Sequence, residues 1–225
     1  MDNVHKMHEN PFAIDAFFET IPFLRDSLFK NLDYAWQALP RLNDFFKKLS
    51  FKIESRASLC HIKNEESVSI GEDCEIEPFT VIEGPCWIGR GVTLRSHSYI
   101  RAGSIIGDEA LIGHSSEVVR SIVLPRAKLP HFNYIGDSII GEGVNLGAGA
   151  KCANLRLDAK AITFFYLGVK YETHLKKMGA IIGNRSQIGC NAVLNPGTIV
   201  FPESLILPCK EVRGVVGPNE NVTRI

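Results

Sequence analysis

Three histidines, His97, His114 and His131, stand at equal intervals along the middle of the chain. Two chemistries suit such a set. A neutral imidazole, with a free pKa of about 6.5, accepts the proton that a primary ammonium must lose before it can attack a carbonyl. Three imidazoles on one edge are also a possible zinc site. Which chemistry applies depends on the elements that hold them.

Those elements announce themselves by a six-residue period. An aliphatic residue recurs at Ile70, Ile76, Ile82, Ile88, Leu94, Ile100, Ile106, Ile112, Val118 and Leu124. After two one-residue slips the series reads Leu124, Leu129, Ile135, Ile140, Leu146 and Cys152, and it resumes at Ile182, Ile188, Leu194, Val200 and Ile206. Glycine follows at Gly71, Gly89, Gly107 and Gly113, and small or β-branched residues such as Cys74, Thr80, Ser98 and Ser116 fill the fifth position. No helix keeps a six-residue apolar period on one face, whereas short strands joined by corners do. Three hexads make a triangular coil of about eighteen residues that hydrogen-bonds to the next coil. The period predicts an all-β parallel β-helix over 52–225, with a loop insertion at about 155–181. Within it Ile112, Leu129 and Leu146 stack, so His114, His131 and Ala148, two positions further on, share an edge, with His97 one coil below.

The insertion carries Arg156, Lys160, Tyr166, Lys170, Lys176 and Lys177, and solenoid insertions project from one edge, where they commonly bind ligands. Residues 1–51 differ from the rest. Asn10 before Pro11 reads as a helix start, and Phe12, Ala16, Leu24 and Leu28 follow at helical spacing. Phe12, Phe17, Phe18, Phe23, Phe29, Phe45, Phe46 and Phe51, with Tyr34 and Trp36, are too much apolar surface to leave in water. A helical arm that caps the first coil is expected, with contact to another subunit as the alternative.

Composition narrows the function. Lys plus Arg (25) and Asp plus Glu (25) cancel, leaving no net field for a nucleic-acid backbone or an anionic membrane. The first residues carry Asp2, Glu9, Asp15 and Glu19 where a secretory signal needs a basic start and an apolar run, and no apolar stretch is long enough to span a bilayer. A cytoplasmic protein is expected. The six cysteines include no C-x-x-C pair, and Cys74 and Cys86 fall in phase with the repeat, which favours reduced, packed thiols.

The segment PHFNYIGDSIIGEGVNLGAGAKCAN around His131, the continuation CANLRLDAK and the run MGAIIGNRSQIGCNAVLNPG resemble the acetyltransferase domain of bifunctional N-acetylglucosamine-1-phosphate uridylyltransferase. The match is to its archaeal-type members, within the hexapeptide-repeat acyltransferases, and covers about residues 68–208. The resemblance implies a left-handed β-helix and a homotrimer in which acetyl-CoA lies between adjacent prisms. It implies transfer of the acetyl group to the amine of glucosamine-1-phosphate or a related amino sugar phosphate, without a metal. By the same resemblance His131 is the catalytic base and Glu117 its orienting partner. Tyr134, Asn145, Asn154 and Lys160 contact substrate, Arg101 binds phosphate, and Ala148, Cys190 and Leu207 line the acetyl-CoA groove. These residue types suit those roles, since an arginine fork and a lysine point charge meet a phosphate, while amide and phenol groups read hydroxyls.

The γ-class carbonic anhydrases share the architecture and bind zinc through three histidines, but their pair of histidines five apart is absent here, which argues against a metal. Bacterial members of the acetyltransferase family carry a lysine where this chain has Val119, and strand alternation is expected to turn Arg120 to the other side. The pyrophosphorylase half of the bifunctional family is missing from this sequence, so uridylyl transfer is not expected. Two other readings remain open. One is acyl transfer to a different nucleotide-sugar or lipid-precursor acceptor; the other is a catalytically idle trimeric scaffold that partners a separate nucleotidyltransferase.

Overall fold

The computed structural model describes residues 10–19, 22–55, 59–218 and 221–222. Asp2, Glu9 and the side chain of Phe23 lie outside what is described. Strands of two to four residues follow one another around a triangular prism, and each pairs in parallel with the strand one coil away. The described strands form three eight-stranded parallel sheets, one per face, and an antiparallel hairpin of Thr163–Tyr166 and Val169–Glu172.

One face, here the arm face, contains Val68–Ile70, Cys86–Ile88, Ser104–Ile106 and their successors. The polar face contains Tyr99–Ile100, Glu117–Val119 and Tyr134–Gly136, and the third, open face contains Leu111–His114 and Lys128–His131. The inward aliphatic residues form one continuous core along the prism axis. Corners turn at residues with positive φ, among them His97, Ser115, Phe132 and Gly149 at one edge.

The repeat slips one hexad earlier than its spacing in the sequence suggests. Val123, not Leu124, pairs with Ile106 and enters the core, whereas Leu124 packs outside the prism. Both are aliphatic, so spacing could not separate them. Leu124 follows the inward residue at a position that other coils give to glycine, such as Gly107 and Gly141.

The arm does not cap the first coil. It is a chain of short helical turns, Ile14–Ala16, Pro22–Arg25, Ala35–Arg41 and Leu42–Phe46, and it lies along the outside of the arm face. That face invites cover, because its outward column is apolar from coil to coil: Trp87, Ile105, Ile122, Ile139, Ile181, Ile199 and Val215 are successive ladder partners. Phe12, Phe17, Phe18, Leu28 and Trp36 are buried against this column and against Ile162 and Phe164 of the insertion. Burying each large side chain contributes about 1.5–3 kcal/mol. Arg185 ties the arm to the solenoid at a further point, bonding Glu19 and Glu203 together. Its hydrogen bonds hold the Glu19 carboxyl below its ordinary pKa. A depressed carboxyl contributes stability above its unfolded pKa that is lost as pH falls through the folded value. The arm is therefore expected to loosen on acidification below about pH 4.5, and Glu19→Gln should abolish that part of the pH dependence in hydrogen-exchange measurements on arm amides. An unchanged pH dependence in the variant would refute the tie.

Between Cys152 and Ala180 the coil is interrupted, and the hairpin in this interval folds back onto the arm. Phe12 meets the rings of Phe164, Tyr166 and Tyr171 edge-on at 5.3, 5.2 and 4.7 Å. No helix among the described residues is long and apolar enough to cross a membrane.

Candidate functional site

His131 ends the strand Lys128–His131 at the edge between the open and polar faces. Backbone hydrogen bonds trace this edge from coil to coil. Phe132 N–H donates to His114 C=O at 2.9 Å, Gly149 N–H to His131 C=O at 2.9 Å, Asn191 N–H to Ala148 C=O at 2.8 Å and Cys209 N–H to Cys190 C=O at 2.8 Å. His114, His131, Ala148 and Cys190 therefore occupy successive positions of one edge, and Leu207 lies over Gly189 beside it. His131 is exposed, Ala148 and Leu207 are half-buried, and Cys190 is exposed.

Asn133, which sequence spacing did not single out, shapes this corner. Only 2% exposed, its Oδ1 accepts the His131 backbone N–H at 3.2 Å, and its Nδ2 donates to Gly147 C=O at 2.8 Å and Ala150 C=O at 3.3 Å. Its buried side chain after a left-handed Phe132 is a signal of the type found at tight corners. Asn133→Ala would leave two carbonyls and one amide N–H without this partner. The expected cost is about 1–3 kcal/mol of stability, measurable by urea unfolding. A variant as stable as the parent would rule out this role.

The polar face carries the other candidate groups. Arg101 Nη1 donates to Glu117 Oε1 at 2.8 Å, and this bond raises the arginine pKa further. Tyr99 stacks under the guanidinium at 5.7 Å and donates its hydroxyl to Glu83 at 2.8 Å. Tyr134 lies next to Glu117 in the ladder; burial, then the charge of Glu117, pushes its phenol pKa up, so it is a neutral hydroxyl. That hydroxyl meets Asn154 Oδ1 at 3.5 Å, while Asn154 Nδ2 donates to Asp137. Glu117 thus serves Arg101, and no hydrogen bond joins it to His131 among the described residues.

Arg120 is on this side of the molecule, contrary to the expectation from strand alternation. Its φ of 45° puts it in the left-handed region, so the alternating pattern ends at Val119, which is 2% exposed. The guanidinium grips Asp137 through Nε at 2.7 Å and Nη2 at 2.9 Å, near enough to Arg101 and Tyr134 for their charges to act on it.

Arg101, Glu117, Tyr134 and Asn154 come together on one face, with His131 and Ala148 at its edge. Asn145 and Lys160 do not join them. Asn145 pairs with Lys128 on the open face, three residues before His131's edge and so about 10 Å along the strand. It lines a polar recess with Arg126, Glu142 and Gln187. Lys160 is exposed on the insertion, where its backbone N–H meets Asp158 at 3.3 Å.

The histidine edge is not arranged as a metal cage. His114 Nδ1 lies 2.8 Å from the Ser96 carbonyl oxygen, and its Nε2 lies 3.2 Å from the Ser115 hydroxyl. The His97 ring packs against it at 5.4 Å, between Phe79 and His114. No group of three or more His, Cys, Asp or Glu side chains suited to a metal ion occurs among the described residues. Cys86 and Cys152 are buried core residues whose thiol pKa values burial pushes up to about 12, which disfavours the thiolate.

The prism agrees with the fold of related proteins. A family model described as the GMPPB C-terminal domain matches residues 83–222. The chain belongs to that family. Among curated proteins it is similar to a bifunctional sugar-1-phosphate nucleotidylyltransferase/acetyltransferase of Sulfurisphaera tokodaii, with 38% identity over 160 residues, 71% of this chain and 40% of that one. It is also similar to the bifunctional protein GlmU of Methanococcus vannielii, with 34% identity over 176 residues, 76% of this chain and 41% of that one. The chain therefore spans about two fifths of the length of these relatives. The solved structure of LpxA, a UDP-N-acetylglucosamine acyltransferase from Bacteroides fragilis, superposes with a TM-score of 0.53 at 18% identity, covering 68% of this chain and 58% of that one. The architecture is the left-handed parallel β-helix seen in that structure.

Proposed function

We propose that this chain transfers an acyl group, specifically acetyl from acetyl-CoA, to the amine of glucosamine-1-phosphate or a related amino sugar phosphate. The observation that carries the reading is the position of His131. It stands where the edge through Ala148 and Cys190, suited to a thioester, meets the face that presents Arg101, Tyr134 and Asn154. In the reaction His131 takes a proton from the acceptor's amine as its nitrogen bonds to the thioester carbonyl carbon. The tetrahedral intermediate then collapses, the C–S bond breaks, and the CoA sulfur leaves and gains a proton. Glu117 holds Arg101 extended toward the sugar's phosphate, and the neutral Tyr134 hydroxyl and the Asn154 amide serve as hydrogen-bonding groups for the sugar. None of these steps requires a metal.

The separation of Asn145 from His131 supports a site shared between copies of the chain in a homotrimer, with Asn145 reaching across from a neighbouring prism. The arm covers one face, so the open and polar faces are the ones available for such contact. Co-expressed His131→Ala and Asn145→Ala chains are expected to regain activity that neither homo-oligomer shows, because mixed assemblies contain some intact sites. Failure of the mixture to exceed either variant would place both residues in the same chain's site.

Val119 supports a second reading. A buried valine offers no cation to a phosphate, which favours a different acceptor, such as a nucleotide sugar or lipid precursor. Release of CoA thiol with acetyl-CoA and glucosamine-1-phosphate, against glucosamine-6-phosphate, separates the two. Turnover that needs the 1-phosphate establishes the first. Silence from an assembled protein moves the assignment to another acceptor or to a scaffold that partners a separate nucleotidyltransferase.

A further inference from the structure

One coil before His131, on the same edge, the strand Leu111–His114 ends and the chain turns at Ser115. These two residues make a contact that the acetyl-transfer reading does not use. The Ser115 hydroxyl lies 3.2 Å from His114 Nε2, and His114 Nδ1 lies 2.8 Å from the Ser96 carbonyl oxygen. A carbonyl only accepts, so in the neutral ring Nδ1 carries the proton and Nε2 offers its lone pair to the serine O–H. A hydroxyl, a base and a third group that orients the base are the parts that activate a serine nucleophile.

The corner holds these parts in place. Ser96 is itself anchored, since its N–H donates to Glu77 Oε2 at 2.7 Å, and its carbonyl also accepts the Ser115 N–H at 3.4 Å. The imidazole of His114 stands edge-on between the rings of His97 at 5.4 Å and Phe132 at 5.5 Å, so it cannot turn without displacing one of them. Ser115 is exposed and has a φ of 51°, a conformation uncommon outside glycine. The buried serines of this coil and the next, Ser116, Ser121 and Ser138, donate their hydroxyls to backbone carbonyls; the Ser115 hydroxyl is turned to the imidazole instead. Phe79 and Phe132, 60% and 57% exposed, give this edge an apolar surface against which an acyl group can lie.

We propose that Ser115 and His114 form a nucleophilic dyad that gives this chain an acyl hydrolase activity on activated acyl esters. The Ser115 oxygen bonds to the acyl carbonyl carbon as its proton passes to His114 Nε2. The bond from that carbon to the leaving oxygen or sulfur breaks, and the leaving group takes the proton. Water then bonds to the acyl carbon and gives a proton to His114, the serine oxygen leaves and recovers that proton, and a carboxylic acid is released. Nothing is oxidised or reduced. The dyad uses neither His131 nor the acceptor assigned above.

The test incubates the full chain with p-nitrophenyl acetate in one arm and with acetyl-CoA in another, without any acceptor. Nitrophenol or thiol release is followed, and acetyl groups are mapped by peptide mass spectrometry after acid quenching. Ser115→Gly removes the hydroxyl at a left-handed position that glycine adopts freely, and His114→Gln removes the base; a melting curve for each variant checks that the coils are intact. The parent is expected to carry acetyl on Ser115, and the donor that loads it identifies the leaving group as an alcohol or a thiol. Each variant is expected to lose that ester and to hydrolyse the donor about a hundredfold more slowly or less still. No acetyl on Ser115 from either donor, hydrolysis undiminished in Ser115→Gly, or an ester on Ser115 that needs His131 in place of His114 would overturn the dyad. An acetylated Ser115 in a protein that acetylates no amino sugar phosphate would sustain the dyad and remove the acetyl-transfer reading.

Discussion

His131→Ala is expected to reduce kcat for the proposed acetyl transfer by about two to four orders of magnitude, the usual effect of removing a positioned general base, the role proposed for His131. The melting temperature should not change. The side chain is exposed and carries no hydrogen bond among the described residues; the local anchoring runs through its backbone N–H to Asn133. Without a base the acceptor's ammonium keeps its proton and its nitrogen has no free lone pair with which to attack, so the loss should fall on kcat and leave acetyl-CoA binding intact, as judged by equilibrium titration. If the variant keeps activity within a few-fold, His131 is not the base. The next candidate is then His114, whose Nδ1 is already fixed at 2.8 Å from the Ser96 carbonyl, an orientation that leaves Nε2 as the proton acceptor. His114→Ala, assayed alongside, decides between them.

Phe12→Ala carries the largest expected effect on stability, about 3–5 kcal/mol. Phe12 is fully buried, and its ring touches Trp36 of the arm, Phe164, Tyr166 and Tyr171 of the insertion and Phe201 of the solenoid. Its removal opens a cavity where three separate parts of the chain meet, and none of them can close it alone. Because solenoid coils are stabilised by their immediate neighbours, the change should appear as an early transition of the arm and hairpin, ahead of the coils, in thermal or urea unfolding followed by tryptophan fluorescence. Trp36, within that cluster, reports it directly. A single transition shifted by less than about 1 kcal/mol would show that the arm does not depend on this packing.

The six-residue period was legible in the sequence because an inward side chain must be aliphatic in every coil, and that demand repeats regardless of what surrounds the prism. The cover of the arm face was written equally plainly. Pairs such as Ile105–Ile106, Ile122–Val123, Ile139–Ile140, Ile181–Ile182 and Ile199–Val200 recur at one strand per coil. A second apolar residue beside the inward one means that both sides of that strand are buried. The arm's phenylalanines supplied the matching surface, and only the assumption that a solenoid end needs capping directed them elsewhere.

The site divides along another line. The repeat alone placed His131 on an edge with His114 and Ala148, because sequence spacing translates directly into a place on a face, whereas Arg101, Tyr134 and Asn154 entered as candidates only through the family resemblance. Arg120 was misplaced by spacing, since alternation holds only while the backbone stays extended, and a left-handed residue at a corner redirects its side chain. Asn133 was missed for a related reason: its three bonds run to atoms one coil away, 14 and 17 residues distant in the chain, and to the backbone of His131.

By itself the sequence determined the prism, its core apart from the choice between Val123 and Leu124, and which residues share an edge, because these follow from local periodicity and the fixed length of a strand. Only the tertiary structure decided where the arm lies, that Glu117 engages Arg101, and that Arg120 grips Asp137. Each of these depends on side chains from distant segments competing for the same partner, and no spacing along the chain encodes the outcome of that competition.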